Sequence, residues 1–278
     1  MRFVPKPARV RETIDEAKDV RTLWLDEVGG PKVSRAVRPG QFVLVWVARC
    51  ADGRRDDEAE DQVPMSVSGV DERGLAITVR RVGPTTAELH RFTPGDAVGL
   101  AGPVGRGFEI LEGSALLVAG GIGLAPLLYL ADELSRRGTG ALRCVVGART
   151  GDELFALGRL DAAADELAVA TDDGSVGSRG TAVAVARALA ERERPDRICA
   201  CGPEPMLVGI HRLCEELGVP GQLSLERYMH CGAGVCGACA MNGRRICHDG
   251  PVFRTEELSG LSEFGNVARG ADGVIRPL

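Results

Sequence analysis

Four cysteines carry the densest chemistry in this sequence. Cys231, Cys236, Cys239 and Cys247 follow the spacing C-x4-C-x2-C-x7-C. Thiolates so spaced can hold a [2Fe–2S] cluster, three from a short loop and the fourth from the segment returning to it. Gly232, Gly234 and Gly237 let the backbone turn tightly and aim N–H groups at the sulfurs. Zinc is the second reading and disulfides the third. A zinc ribbon uses two C-x2-C pairs, or one with a histidine pair. This chain has one C-x2-C, and His230 and His248 merely adjoin the outer cysteines. A Rieske centre needs two histidine ligands, and no second ligand set is evident.

Other patches could grip nucleotides. Gly120, Gly121 and Gly123 stand between an apolar run and a helical pattern, where backbone N–H groups can approach a pyrophosphate at a helix N-terminus. Residues 120–123 fall short of the full G-x-G-x-x-G fingerprint. Residues 171–174 (Thr-Asp-Asp-Gly) also read as an Asx turn. Residues 201–206 (Cys-Gly-Pro-Glu-Pro-Met) also read as a tight turn into a helix. All three lie at the carboxyl ends of expected strands, so together they line one crevice. Earlier in the chain, residues 63–66 (Val-Pro-Met-Ser) could offer the Ser66 hydroxyl to an isoalloxazine edge. Arg80, Thr85 and Thr86 could meet a pyrophosphate with charge, hydroxyls and N–H groups. Taken singly, either patch is better explained by ordinary strand-to-turn chemistry.

Two kinds of element must position these groups. Residues 21–25, 41–47 and 75–82 read as short strands rich in β-branched and aromatic residues. They are punctuated by Pro39-Gly40, Gly69, Gly74 and Pro94-Gly95, with one short helix over 85–92. Such spacing suggests a small antiparallel barrel. The charged stretch 49–62 reads as an exposed hairpin loop. From Ser114 the pattern alternates. Strands at 115–119, 142–146, 167–171 and 197–201 are followed by helices at 124–137, 152–160, 181–191 and 204–217. This alternation implies a parallel sheet with right-handed crossovers.

Composition narrows the class. The chain has 278 residues, 44% of them hydrophobic, and a net charge of −5. That offers no basic footprint for nucleic acid or an anionic membrane. Residues 115–131 carry no charge, but Gly120, Gly121, Gly123 and Pro126 interrupt them, favouring a strand, turn and helix over a membrane span. Nine cysteines without a secretory signal point to a reducing cytoplasm, where cysteine serves metals or cores.

With its barrel-first order and residues 120–123 and 201–206, the chain resembles the ferredoxin–NAD(P) reductase superfamily. Residues 224–232 (Ser-Leu-Glu-Arg-Tyr-Met-His-Cys-Gly), the four cysteines and residues 249–253 resemble the cluster signature of one branch. That branch is the electron-transfer subunits of NAD-dependent dihydroorotate dehydrogenase. The similarity covers about residues 5–253. It implies an α/β protein with a β-barrel: an antiparallel FAD-binding barrel over 1–108, a parallel-sheet NAD-binding α/β domain over 109–222, and a [2Fe–2S] segment over 223–253. The tail, 254–278, lies outside the similarity and is open as a disordered or docking segment. The resemblance assigns Pro64, Met65 and Ser66 to the flavin ring, and Val79, Arg80, Thr85 and Thr86 to a second flavin motif. Gly120, Gly121 and Gly123 would hold the nicotinamide cofactor's phosphates, and Asp172 would lie near its ribose. Cys201, the catalytic candidate, and Gly202 would lie near the nicotinamide. Cys231, Cys236, Cys239 and Cys247 would hold the metal. Two departures stand out: Val63 replaces an arginine that many relatives place there, and the last cysteine gap is shorter than in many bacterial members.

The implied function is a relay in pyrimidine biosynthesis. Nicotinamide exchanges electrons in pairs and an iron–sulfur cluster singly, so FAD must stand between them. The implied partner is an FMN-containing dihydroorotate dehydrogenase catalytic subunit. The chain itself, lacking an acid–base residue beside a second flavin pocket, is expected to be inactive on dihydroorotate alone. The alternative is the same machine serving a hydrogenase, a sulfide dehydrogenase or a ferredoxin:NADP oxidoreductase. A zinc-bearing nucleotide-binding subunit is a rival of another class. The choice of NAD or NADP is open, since Arg149 could face a 2′-phosphate or solvent.

Overall fold

The computed structural model describes residues 5–29, 32–47 and 62–278. Most of the charged stretch and Cys50 lie outside them. The first strands are β1 (Lys6–Ala17), β2 (Val20–Glu27), β3 (Phe42–Val47), β4 (Gln62–Val70), β5 (Gly74–Arg80) and β6 (Ala97–Val104), with α1 (Pro84–Arg91) between the last two. They close into an antiparallel barrel in the order β1-β2-β5-β4-β3-β6. Alternation drives the closure: Val10, Leu23, Leu25, Val43, Val45, Leu75, Ile77 and Leu100 point inward and are all but inaccessible.

The second half begins with β7 (Ala115–Gly120), whose six residues are all buried, as a strand covered on both faces must be. It feeds α2 (Leu124–Arg137), which has Pro126 in its first turn and ends on Gly138 in the left-handed conformation, φ 62°. Then come β8 (Leu142–Ala148), α3 (Leu157–Ala163), β9 (Glu166–Thr171), β10 (Ser178–Arg179), α4 (Ala182–Arg192), β11 (Arg197–Cys201), α5 (Glu204–Leu217) and β12 (Gly221–Ser224). The expected helix over 152–160 differs. A single 3-10 turn, Gly151–Glu153, comes first, and α3 starts later. Buried Phe155 and left-handed Ala156 (φ 50°) separate the two.

The cluster segment folds as a small hairpin, β13 (Ala240–Met241) and β14 (Arg244–Arg245), leading into α6 (Ile246–Asp249). The chain then returns as β15 (Val252–Arg254), antiparallel to β12. The main sheet therefore runs β10-β9-β8-β7-β11-β12-β15, parallel except at that edge. The tail is structured: α7 (Thr255–Leu258) and a hairpin of β16 (Val267–Arg269) and β17 (Ile275–Pro277). The Phe264 ring meets His211 of α5 edge-on at 5.7 Å.

One core joins all three regions. Leu116, Val118, Ile198, Ala200, Ile210 and Leu213 from one face of the sheet and its helices share it with Cys239, Met241, Ile246 and Cys247, and with Phe42 and Leu44 of the barrel. The cluster segment is thus wedged between barrel and sheet. Among the described residues, no helix is long and apolar enough to cross a membrane.

Candidate functional site

The four cysteines come together as two pairs. Cys236 donates its backbone N–H to Cys231 Sγ at 3.4 Å, joined by Ala233 at 3.3 Å and Val235 at 3.5 Å. Cys247 donates its N–H to Cys239 Sγ at 3.4 Å. Gly234 links the pairs, its N–H reaching Cys247 Sγ at 3.2 Å. Gly232, Gly234 and Gly237 all have φ between 62° and 75°, the left-handed turns that aim these donors inward. Burial works against ionising Cys231, but the N–H groups of Cys236, Val235 and Ala233 outweigh it and hold the thiol down at about 7. The Cys247 thiol, donating to Cys239, holds Cys239 down at about 6 and is itself pushed up. Among the described residues no three His, Cys, Asp or Glu side chains form a compact single-ion site. The two pairs suit a different geometry: each iron of a two-iron cluster takes two thiolates beside two bridging sulfides. With backbone donors aimed at the sulfurs and the Cys231 and Cys239 thiols held toward thiolate, these residues fit a [2Fe–2S] cluster.

Arg245 and Asp249 brace this loop. Arg245 Nη1 donates to Gly234 O at 2.8 Å. Asp249 accepts from the Arg245 N–H at 2.7 Å and from His248 Nδ1 at 2.8 Å. Those two bonds hold the Asp249 carboxyl at about 2. From the sequence Asp249 stands only as part of the 249–253 signature, with no role given, and Arg245 is not singled out, although its nearness to Cys247 is a usable signal.

The cluster loop leans on β3, which pairs with the strand carrying Pro64, Met65 and Ser66. Strand register sets Leu44 opposite Pro64 and Phe42 opposite Ser66. A Cβ on Gly232 would lie 2.8 Å from Leu44 Cδ2, and Gln62 Nε2 donates to His230 O at 2.8 Å. Gln62, Val63, Pro64, Met65 and Ser66 are each half-buried, while β5 beside them is buried from Gly74 to Val79. A half-covered run inside a closed barrel is a surface suited to a flat ligand. Leu44 and Gln62 also escaped the sequence reading, and no local signal marks them.

The second flavin patch divides. Thr86 Oγ1 accepts from the N–H groups of Val82 (2.9 Å) and Gly83 (3.0 Å) and donates to Gly83 O (3.0 Å). Its hydroxyl is thus engaged in capping α1. Thr85 is buried beside it, and Val79 points into the barrel core. Arg80 reaches across to the glycine loop, its guanidinium nitrogens 3.7 and 3.9 Å from where a Gly121 Cβ would stand.

Residues 120–123 and 201–206 lie side by side. Strand β11 pairs with β7, Cys201 opposite Ala119, so residues 120–123 and 201–206 leave adjacent strand ends. They pack too closely for side chains. A Cβ on Gly120 would lie 2.7 Å from Met206 Sδ, one on Gly202 would lie 2.6 Å from Met206 Cε, and one on Gly123 would collide with Cys201 O. Burial pushes the Cys201 thiol up to about 12, against a hydrogen bond from Ser224, so at neutral pH it stays a thiol. Asp172 follows β9, its N–H bonded to Ala148 O at 3.1 Å. Arg149 pairs with Glu153 at 2.5 Å. A close-packed glycine turn at a helix N-terminus fits a dinucleotide's phosphates.

Comparison with known proteins agrees with this geometry. Residues 226–259 match the family model described as the iron–sulfur cluster binding domain of dihydroorotate dehydrogenase B. A Methanothermobacter thermautotrophicus protein named "Probable dihydroorotate dehydrogenase B (NAD(+)), electron transfer subunit" is 43% identical, covering 97% of this chain and 96% of its own. A Methanopyrus kandleri protein of the same name is 40% identical over 97% of each. Among solved structures, a chain from the NADH-dependent reduced ferredoxin-NADP oxidoreductase is 34% identical, with TM-score 0.75 over 90% of this chain and 88% of that one. Phthalate dioxygenase reductase, 20% identical with TM-score 0.56 over 75% of this chain and 64% of that one, shares the fold. The chain belongs to the family of electron transfer subunits of NAD(+)-dependent dihydroorotate dehydrogenase B, an oxidoreductase subunit that joins a ferredoxin-reductase-like fold to an iron–sulfur domain.

Proposed function

We propose that this chain passes electrons between a dihydroorotate-oxidising partner and NAD, using a [2Fe–2S] cluster and FAD. When bound, the flavin supplies the exchange between paired and single electrons that nicotinamide and cluster cannot make directly. The chain's own residues hold these groups in sequence. The Pro64–Met65–Ser66 strand backs the flavin ring, residues 120–123 and Asp172 hold the nicotinamide nucleotide, and Cys201 and Gly202 shape the floor beside its ring. Cys201, as a neutral thiol, packs and orients there. Cys231, Cys236, Cys239 and Cys247 hold the metal. Residues 1–108 serve the flavin, 109–222 the nicotinamide and 223–253 the cluster, with 254–278 bracing the last two.

The observation that carries this reading is the pairing of Leu44 with Pro64 while Leu44 also touches Gly232. It sets the cluster loop one strand from the flavin strand. On the outer side, Cys236 is exposed and Val235 is 83% exposed. That apolar, accessible edge suits docking of an FMN-containing catalytic subunit into a hetero-oligomer in the cytoplasm. Expressing the two chains together and apart tests the reading. Orotate formation coupled to NAD+ reduction should require both, and orotate formation by this chain alone would refute it.

A second reading has one specific support, the 34% identical chain of the ferredoxin-NADP oxidoreductase. In that case the partner would be an NADP-linked flavoprotein. Co-purification from the source cell, followed by assay with dihydroorotate and with NADPH, distinguishes the two.

A further inference from the structure

We infer that Arg80, a barrel residue, binds the pyrophosphate of the nicotinamide dinucleotide rather than that of the flavin. The inference rests on the nicotinamide site proposed above and adds a ligand to it from the other half of the molecule.

The surroundings of the glycine loop carry it. Gly120 is backed by Met206 and Pro203, and Gly123 by the backbone of Cys201 and Gly202. Gly121, at φ 51°, has no such backing: apart from its chain neighbours, the only groups among the described residues within 4 Å of where its Cβ would stand are the two terminal nitrogens of Arg80, at 3.7 and 3.9 Å. Helix α2 begins just beyond, with no acidic residue in its first turn and no side chain capping its N-terminus. An anion resting on Gly121 would meet the positive end of the helix from one side and a guanidinium from the other.

Arg80 is also uncommitted. Its neighbour Arg81 is paired with Asp19, and Arg149 across the crevice with Glu153. The Arg80 backbone is held in the β2–β5 ladder, but among the described residues its guanidinium makes no hydrogen bond or ion pair, and its charge is felt at Glu153, on the nicotinamide side. The flavin motif that it was grouped with has turned inward: Thr86 is engaged in its turn and Val79 in the core. A planar fork of five donors, half-buried and aimed at a phosphate-binding turn, suits bidentate recognition of a pyrophosphate.

The test compares wild type with Arg80→Gln as purified holoproteins. It measures FAD per chain by absorbance, and the affinity for NADH and for ADP-ribose by calorimetry. Loss of one charge-assisted contact should weaken both nucleotides by about 10- to 100-fold while FAD content stays at the wild-type level. Arg80→Lys should fall between, keeping the charge but losing the fork. Unchanged affinities with FAD lost would assign Arg80 to the flavin, and unchanged affinities with FAD retained would make it a solvent arginine. Either overturns the inference. Wild type that binds neither nucleotide would contradict the underlying functional reading instead, and the inference with it.

Discussion

The side-chain amide of Gln62 donates to the main-chain carbonyl of His230 at 2.8 Å. That bond joins the first residue of β4, the strand proposed to back the flavin, to the residue preceding the first cluster cysteine. With the Gly232–Leu44 contact alongside it, it fixes how far the cluster loop can stand from the barrel.

Gly232→Ala should break this seam. The new Cβ would stand 2.8 Å from Leu44 Cδ2 on a backbone at φ 62°. Overpacking and left-handed strain together should cost about 2–4 kcal/mol. Iron content should fall while FAD is retained, read by metal analysis and flavin absorbance. Leu44→Ala in the same chain should restore part of the iron, because it opens the space the methyl needs.

Gly123→Ala should damage the nicotinamide site and spare the other two. Its Cβ would run into the carbonyl of Cys201 and the N–H of Gly202, backbone atoms that cannot rotate away. The two turns would be forced apart. NADH binding should weaken by at least about tenfold, equivalent to about 1.4 kcal/mol, with cluster and flavin spectra unchanged. Titration of flavin fluorescence with NADH checks it.

Arg227→Met should destabilise the seam between helix α5, the cluster hairpin and the tail. The Arg227 and Glu204 side chains are only 3% and 8% exposed, and they are directly paired. Glu204 Oε1 also accepts from the Gly265 N–H at 2.7 Å. Removing one partner strands a buried charge, at a cost of about 3–5 kcal/mol. Adding Glu204→Gln should recover much of that loss. Urea unfolding of the three variants against wild type measures both effects.

The cluster hairpin should also carry a pH signature through Asp249. Its folded carboxyl sits at about 2, against about 3.9 in an unfolded chain. A depressed carboxyl stabilises the fold fully above its unfolded value, and loses that contribution as pH falls toward the folded one. The stability gap between wild type and Asp249→Asn should therefore be constant from pH 7 to about 5 and narrow progressively below about 4. Unfolding midpoints over that range read it directly.

Much of this was legible from sequence where the signal is local. The apolar run of β7, Pro126 and Gly138 bound β7 and α2 as expected, and β11 and α5 follow their own strand and cap signals. The four cysteines announce themselves by spacing. What was not legible depends on contacts between distant residues. Nothing in residues 252–254 says that they will pair antiparallel with β12. The tail, open from sequence as a disordered or docking segment, is anchored by Asn242, which accepts from the Glu263 N–H at 2.8 Å and donates its own N–H to Glu263 Oε2 at 2.9 Å. Phe155 and left-handed Ala156 displaced the helix expected over 152–160, because burying one aromatic side chain outweighs helix propensity over so short a stretch. The nearness of the Arg80 guanidinium to Gly121, a residue of the other half of the chain, is likewise a contact that no local pattern announces.

The most direct measurement is electron paramagnetic resonance of the anaerobically purified chain during titration with NADH. Iron and sulfide should be present at one [2Fe–2S] cluster per flavin. NADH should bleach the flavin and raise the reduced-cluster signal in the same molecule, and Cys239→Ala should abolish that signal while leaving the bleaching intact. Zinc in place of iron, or a cluster that dithionite reduces but NADH never does with the flavin intact, would contradict a relay running from nicotinamide to these four sulfurs.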